Sequence, residues 1–135
     1  MRALIIDAHG GLEQVHYRDD VAEPRLGTPS DVRVRVSAAA LNHLDLFVVG
    51  GVPGVKITPG WVLGGDGVGT IESLGNAVTS VKAGDRVVIN PGLSCYSCEY
   101  CLAGEHSLCV RFGLLGEHRP GTFAEYVVLP ARNVR

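Results

Sequence analysis

The sequence predicts a mainly β domain, a small barrel or sandwich with short helices and one zinc-binding lobe. Three observations carry this. Apolar and polar residues alternate with period two in several short runs. Turn signals separate the runs: Gly10-Gly11, Thr28-Pro29-Ser30, Pro59-Gly60, Ala83-Gly84 and Pro120-Gly121. Four cysteines crowd between positions 95 and 109. Many short, punctuated strands are the pattern of sandwiches and barrels. At 135 residues and 46% apolar content, the chain suffices for one domain with its own core.

In chain order, residues 2–7 and 14–18 are expected as strands on either side of Gly10-Gly11. Residues 31–40 give the clearest alternation. Val32, Val34, Val36 and Ala38 fall on one face, with Arg33, Arg35 and Ser37 on the other. A helix follows at 43–49, where Asn42 can cap it, Asp45 stands three residues on and Gly50-Gly51 stops it. Strands are expected again at 68–74, 86–90 and 123–129, with a helical turn at 97–102 inside the cysteine segment. There is no internal repeat and no low-complexity run. The last residues, Pro130 to Arg135, read as the lead-in to another element.

Charge narrows the function classes. Twelve basic and fourteen acidic residues give a formal net charge of -2. Four thiolates holding one zinc ion would take it to about -4. The basic residues are scattered singly, so a nucleic-acid partner is not expected. The apolar run Ala3-Leu4-Ile5-Ile6 is too short for a signal peptide core, and nothing approaches the roughly 18 apolar residues of a membrane helix. The expectation is a cytoplasmic, reducing location, where clustered thiols are metal ligands more often than disulfides.

Cys95, Cys98, Cys101 and Cys109 have the spacing C-x2-C-x2-C-x7-C. Three thiols on a tight loop can surround one ion, and the fourth closes a tetrahedron. A site with four protein ligands has no open position, so this zinc is structural. The competing readings fare less well. A bacterial iron–sulfur run places its fourth cysteine after three residues and follows it with proline, whereas the gap here is seven and Val110 follows. Disulfides are a further alternative, and His106 could displace a thiolate.

Several stretches resemble one superfamily in their order along the chain: Ala39 to Phe47, Leu63 to Gly69, Val81 to Val88, the cysteine lobe at about 91–112, and Gly121 to Val127. Together they resemble the N-terminal catalytic domain, a GroES-like partly open β-barrel, of medium-chain dehydrogenases/reductases. That superfamily includes zinc alcohol dehydrogenases and quinone oxidoreductases. The resemblance implies hydride transfer between NAD or NADP and a small-molecule substrate. It also implies a Rossmann nucleotide-binding domain that residues 1–135 do not contain. Gly64-Gly65-Asp66-Gly67-Val68-Gly69 tempts as a dinucleotide motif, but Thr70 breaks the G-x-G-x-x-G pattern. The chain alone is expected to lack activity and to self-associate as a homo-oligomer through apolar surface.

Zinc-dependent members of the superfamily hold a catalytic metal with a Cys and a Gly-His-Glu segment. Matched on the motifs, those positions are Asn42 and Gly64-Gly65-Asp66, and the proton-relaying Ser or Thr is Leu44. Both principal ligands and the relay are missing. The resemblance therefore points to the zinc-independent quinone reductase branch, with Asn42, Asp45 and Asp66 as candidate catalytic residues and His43 beside the cofactor phosphates. Other readings stay open: Asn42 and Asp45 as a capping pair, Asp66 as a turn residue, His43 as an exposed helix-start residue, or His43, Asp45 and Asp66 as makeshift metal ligands. Two alternative functions remain, an alcohol dehydrogenase with altered ligands and a freestanding zinc-stabilised β domain with no catalysis.

Overall fold

The computed structural model describes residues 1–135. Its strands are β1 (Ala3–Ile6), β2 (Val15–Arg18), β3 (Asp31–Ala40), β4 (Trp61–Val62), β5 (Asp66–Leu74), β6 (Arg86–Val88), β7 (Gly92–Leu93), β8 (Gly113–Leu114) and β9 (Tyr126–Pro130). Two α-helices, α1 (His43–Gly50) and α2 (Glu99–Leu102), and three short 3-10 turns complete it. A four-stranded sheet runs in the order β6-β5-β3-β9, a three-stranded sheet in the order β2-β1-β4, and β7 pairs with β8. Every strand pairing is antiparallel, and the sheets form the partly open barrel that the resemblance implies. No helix is long and apolar enough to cross a membrane.

β3 organises the domain, pairing with β5 along its whole length and with β9 at Asp31 to Arg35. Val32 and Val34 are fully buried, as period two predicts, and they anchor the largest apolar cluster together with Ile71, Leu115, Val127 and Leu129. The alternation does not persist: Val36 is half-buried and Ala38 is exposed. Register shifts between Arg33 and Val34 and between Val36 and Ala38 bend the ribbon, carrying its far half away from the core and toward Asn42. A smaller cluster of Ile6, Val48, Val49 and Leu63 fastens α1 to the β1 edge.

Several boundaries differ from the sequence expectation, each for a local reason. The final strand begins at Tyr126, not 123, because Phe123 and Ala124 pair instead with the first strand: the Leu4 amide donates to the Phe123 carbonyl at 2.8 Å, and Ala3 bridges Ala124. β6 stops at Val88; Ile89 still donates to the Gly67 carbonyl at 2.9 Å but turns to bridge Val134 on its other side. β5 begins two residues early, at Asp66 opposite Ala40, so Asp66 and Gly67 lie in the ladder. The two-residue strands β4, β7 and β8 are too short for any alternation to announce them.

Candidate functional site

The cysteine lobe grows from a narrow neck. Gly92 pairs with Leu114 and Leu93 with Gly113, so the chain leaves and re-enters the body side by side. Within the lobe, Tyr96 takes a left-handed conformation (φ 59°) and its ring stacks on His106 at 4.4 Å between centroids. The Arg132 guanidinium lies 4.3 Å from the Tyr96 ring centroid, and its Nη2 donates to the Ser94 carbonyl at 3.1 Å. Asn133, 1% exposed, donates to the carbonyls of Asn90 and Gly92 at 3.0 and 2.7 Å. The segment after β9 thus grips the neck from the body side.

Cys95, Cys98, Cys101 and Cys109 bring their four Sγ atoms within 4.8 Å of one another. Zinc–sulfur bonds of about 2.3 Å in a tetrahedron require sulfurs about 3.8 Å apart. The Cys95 and Cys101 sulfurs are 3.9 Å apart. Backbone amides donate to two of the sulfurs, Cys98 to Cys95 at 3.3 Å, and Cys95 and Arg111 to Cys109 at 3.2 and 3.3 Å. Such donors stabilise thiolate and orient ligands. Ser97, through its side chain and then its amide, lowers the Cys95 thiol to about 4, while burial pushes Cys101 up to about 11. Donor set and spacing both fit one structural zinc ion. His106 is not in the cluster; its ring is occupied by Tyr96 and its carbonyl accepts from Ser94 Oγ.

The second cluster lies where β3 gives way to α1. The Leu44 amide donates to Asn42 Oδ1 at 3.2 Å, and the Asn42 amide donates to Asp45 Oδ2 at 2.7 Å, a reciprocal capping box. The capping role read from their spacing is therefore present. Asn42 does more than cap: its Nδ2 donates to Asp66 Oδ2 at 3.1 Å across to β5. Asp45 is 6% exposed. Burial pushes its carboxyl upward and the neighbouring Asp66 charge adds to this, against the Asn42 and Gly64 amides, which pull it down. His43 is exposed, its ring 6.5 Å from that of Phe47, and it shares no hydrogen bond with the Asn42–Asp45–Asp66 group.

Glycines form the floor of this cluster. Gly64 has φ 99°, a conformation that disfavours any side chain, and a Cβ on Gly116 would meet the Gly64 carbonyl oxygen at 2.8 Å. Backbone therefore rests on backbone. Gly65 is different: a Cβ there would make only ordinary contacts, 3.6 Å to the Leu115 carbonyl and 3.9 Å to Leu44 Cδ2. Packing does not require glycine at 65, and glycine offers no side-chain ligand there. Asn42 offers an amide already engaged twice, and Asp66 a carboxylate already paired with it. That donor set does not fit a catalytic zinc, which prefers imidazole and thiolate.

Comparison with known proteins places this geometry. The alcohol dehydrogenase GroES-like domain family matches residues 28–135. The chain belongs to that family. Relatives of this GroES-like domain include the L-threonine 3-dehydrogenase of Streptomyces coelicolor, 41% identical over 99% of this chain and 39% of the relative. Another is a probable D-xylulose reductase A of Neosartorya fischeri, 35% identical over 89% of this chain and 34% of the relative. Among solved structures, an NAD-dependent alcohol dehydrogenase superposes with TM-score 0.92 at 51% identity, covering all of this chain and 39% of that one. A cobalt- and zinc-bound thermostable alcohol dehydrogenase of Pyrobaculum aerophilum superposes at 0.90 with 36% identity, over 99% of this chain and 40% of that one. The chain thus spans between a third and two fifths of the length of these relatives.

Some contributors escaped the sequence reading. Thr122 donates its hydroxyl to the Asp66 carbonyl at 2.8 Å, fixing the start of β5. It lies inside the Gly121 to Val127 stretch that carries the resemblance, so the signal was present but its partner was not. Arg132 and Asn133 act on a lobe some forty residues earlier in the chain, and no local pattern marks them.

Proposed function

We propose that this domain is the substrate half of an NAD(P)-dependent medium-chain oxidoreductase that transfers hydride to a quinone, enone or other carbonyl compound with no metal at the reacting group. The observation that carries the reading is the 3.1 Å hydrogen bond between Asn42 and Asp66, with glycine at 65 between them in the motif. At the positions where zinc-dependent relatives of this kind hold their catalytic metal, the side chains bind each other. The nicotinamide, when bound, supplies the hydride; its site falls mainly in a Rossmann domain outside residues 1–135.

The chain's own residues supply position and polarity. One Nδ2–H of Asn42 is engaged by Asp66, which leaves the second to donate to a substrate carbonyl oxygen and stabilise the charge that develops there. Asp45 and Asp66 are positioning residues, one fixing the Asn42 backbone and the other its amide plane. Exposure of His43 at the helix start supports its reading as a contact for a cofactor phosphate. Conjugated acceptors need little more than orientation and such a hydrogen bond to accept hydride.

The names of the relatives favour a second reading, an alcohol or polyol dehydrogenase with altered metal ligands drawn from His43, Asp45 and Asp66. Metal content and turnover of the full-length protein separate the two. One zinc per chain, with NAD(P)H oxidation by a quinone or enone that survives mild chelation, supports metal-free reduction. Two zincs per chain, with alcohol oxidation lost on chelation, supports the second reading and overturns the first. No turnover with any carbonyl or alcohol leaves the non-catalytic zinc-stabilised domain as the function.

A further inference from the structure

The positive charges of this chain are distributed unevenly between partners. Arg2, Arg18 and Arg33 each have a carboxylate partner: Glu125, Asp20, and Glu72 with Glu23. His118 Nδ1 lies 3.8 Å from a Glu117 carboxylate oxygen while it accepts the Leu114 amide at 3.2 Å. None of the chain's ion pairs engages Arg119 or Arg132, and the Arg119 side chain makes no hydrogen bond within the chain. Both arginines, with Pro130 between them, line two adjoining recesses of about 510 and 600 Å³.

The two recesses differ in character. The first lies against the cysteine lobe and adds Arg111 to the two arginines. Arg111 is already engaged, its Nη2 donating to Ser97 Oγ at 3.1 Å and its charge facing Cys95. The second is lined by Thr28, Ser30, Thr79 and Ser80. Its one acid, Asp31, is 4% exposed and accepts from the amides of Gly27 and Thr28 at 3.1 and 2.8 Å, so its charge is already answered. Arg119, with no partner, and Arg132, which has no carboxylate partner but leans on Tyr96 and gives one Nη2–H to the Ser94 carbonyl, stand where a recess holding Arg111 meets one lined by serine and threonine, a setting that matches an anion carrying a hydroxylated body. Planar arginine forks bind phosphate oxygens two at a time, and recesses of several hundred cubic ångströms suit a small metabolite. A nucleic acid would need a longer track of cations than this patch provides.

We propose that Arg119 and Arg132 form a binding site for a small phosphomonoester, its phosphoryl group on the two guanidiniums and its hydroxylated body in the Thr28–Ser30–Thr79–Ser80 recess. None of these residues belongs to the Asn42–Asp45–Asp66 cluster, so the site stands or falls independently of the hydride-transfer reading.

Calorimetric titration of the zinc-loaded chain with glycerol 3-phosphate, inorganic phosphate and, at matched ionic strength, chloride tests the assignment. Saturable binding of glycerol 3-phosphate, tighter than phosphate and absent with chloride, is expected. Arg119→Gln should weaken it by about tenfold or more, the scale of losing a charge-assisted hydrogen bond. Its melting temperature should hold, because the side chain has no internal partner. Lys56→Gln removes the same charge outside both recesses and should bind as wild type. Binding that is unsaturable, matched by chloride, indifferent to the ester, unchanged in Arg119→Gln or equally weakened in Lys56→Gln would overturn the proposal. The wild-type titration stands even where a variant folds poorly.

Discussion

Asn42 is the residue whose chemical identity matters most, because it needs an acceptor on one side and a donor on the other. Its Oδ1 takes the Leu44 amide and its Nδ2 serves Asp66. Aspartate keeps the cap and loses the donor, setting carboxylate against carboxylate. Asn42→Asp is expected to cost about 1–3 kcal/mol. Urea unfolding should show a larger loss at pH 7 than near pH 4, where protonation of one partner relieves the repulsion. A loss independent of pH would show that the side chain of Asp66 is not the partner that matters. Asp45 gives the second pH test. Its folded carboxyl is pushed up by burial, so the native state holds that proton to higher pH than the unfolded chain does. The sign is therefore a contribution that favours folding at low pH and is lost as pH rises from the ordinary carboxylate range through the raised value. Asp45→Asn, which cannot ionise, should flatten that part of the stability profile, read as urea midpoints across the window.

Among the elements, β3 and the cysteine lobe were legible in the sequence for opposite reasons. β3 runs over Asp31–Ala40 as its alternation implies, because a ribbon with one buried face must repeat every second residue. Past Val36 the pattern misleads: Ala38 carries the right residue type for burial yet faces out, since the register shifts there. Ser37 is the extra residue of that bulge, and nothing in the strand's own alternation marks where such a residue falls. The lobe was readable from ligand spacing, but the grip of Arg132 and Asn133 on its neck was not, because that contact joins residues distant in sequence. Asn42 and Asp45 were readable as a cap; their link to Asp66 depends on β5 beginning opposite Ala40, a tertiary fact. Two predictions belong at this scale. Leu129→Ala, at a fully buried position of the main cluster, should cost about 2–5 kcal/mol in thermal or urea unfolding. Arg132→Ala should leave that core intact and speed zinc release to a colorimetric chelator, since it frees Tyr96 and the Ser94 carbonyl. Unchanged release would show that the sulfur cluster holds the lobe unaided.

At the scale of the whole molecule, the apolar clusters and the cysteine lobe are nearly separate sources of stability. The main cluster draws on β3, β5, β6 and β9 and on Leu115 just beyond the lobe, with no cysteine in it. Removing zinc should therefore abolish amide protection across Cys95 to Cys109 in hydrogen exchange while far-ultraviolet circular dichroism keeps its β signature. Collapse of the whole spectrum on chelation would show that the metal organises the barrel as well. The neck formed by β7 and β8 carries a further consequence. Where a loop departs and returns through adjacent, paired strands, it can be exchanged for a tight turn without rethreading anything. Replacing residues 95–111 with Asn-Gly should give a shorter protein that melts as one cooperative unit and binds no zinc. Ancestral chains could on this plan have acquired or shed the metal as a cassette, leaving the Asn42–Asp45–Asp66 cluster beside α1 to drift on its own schedule.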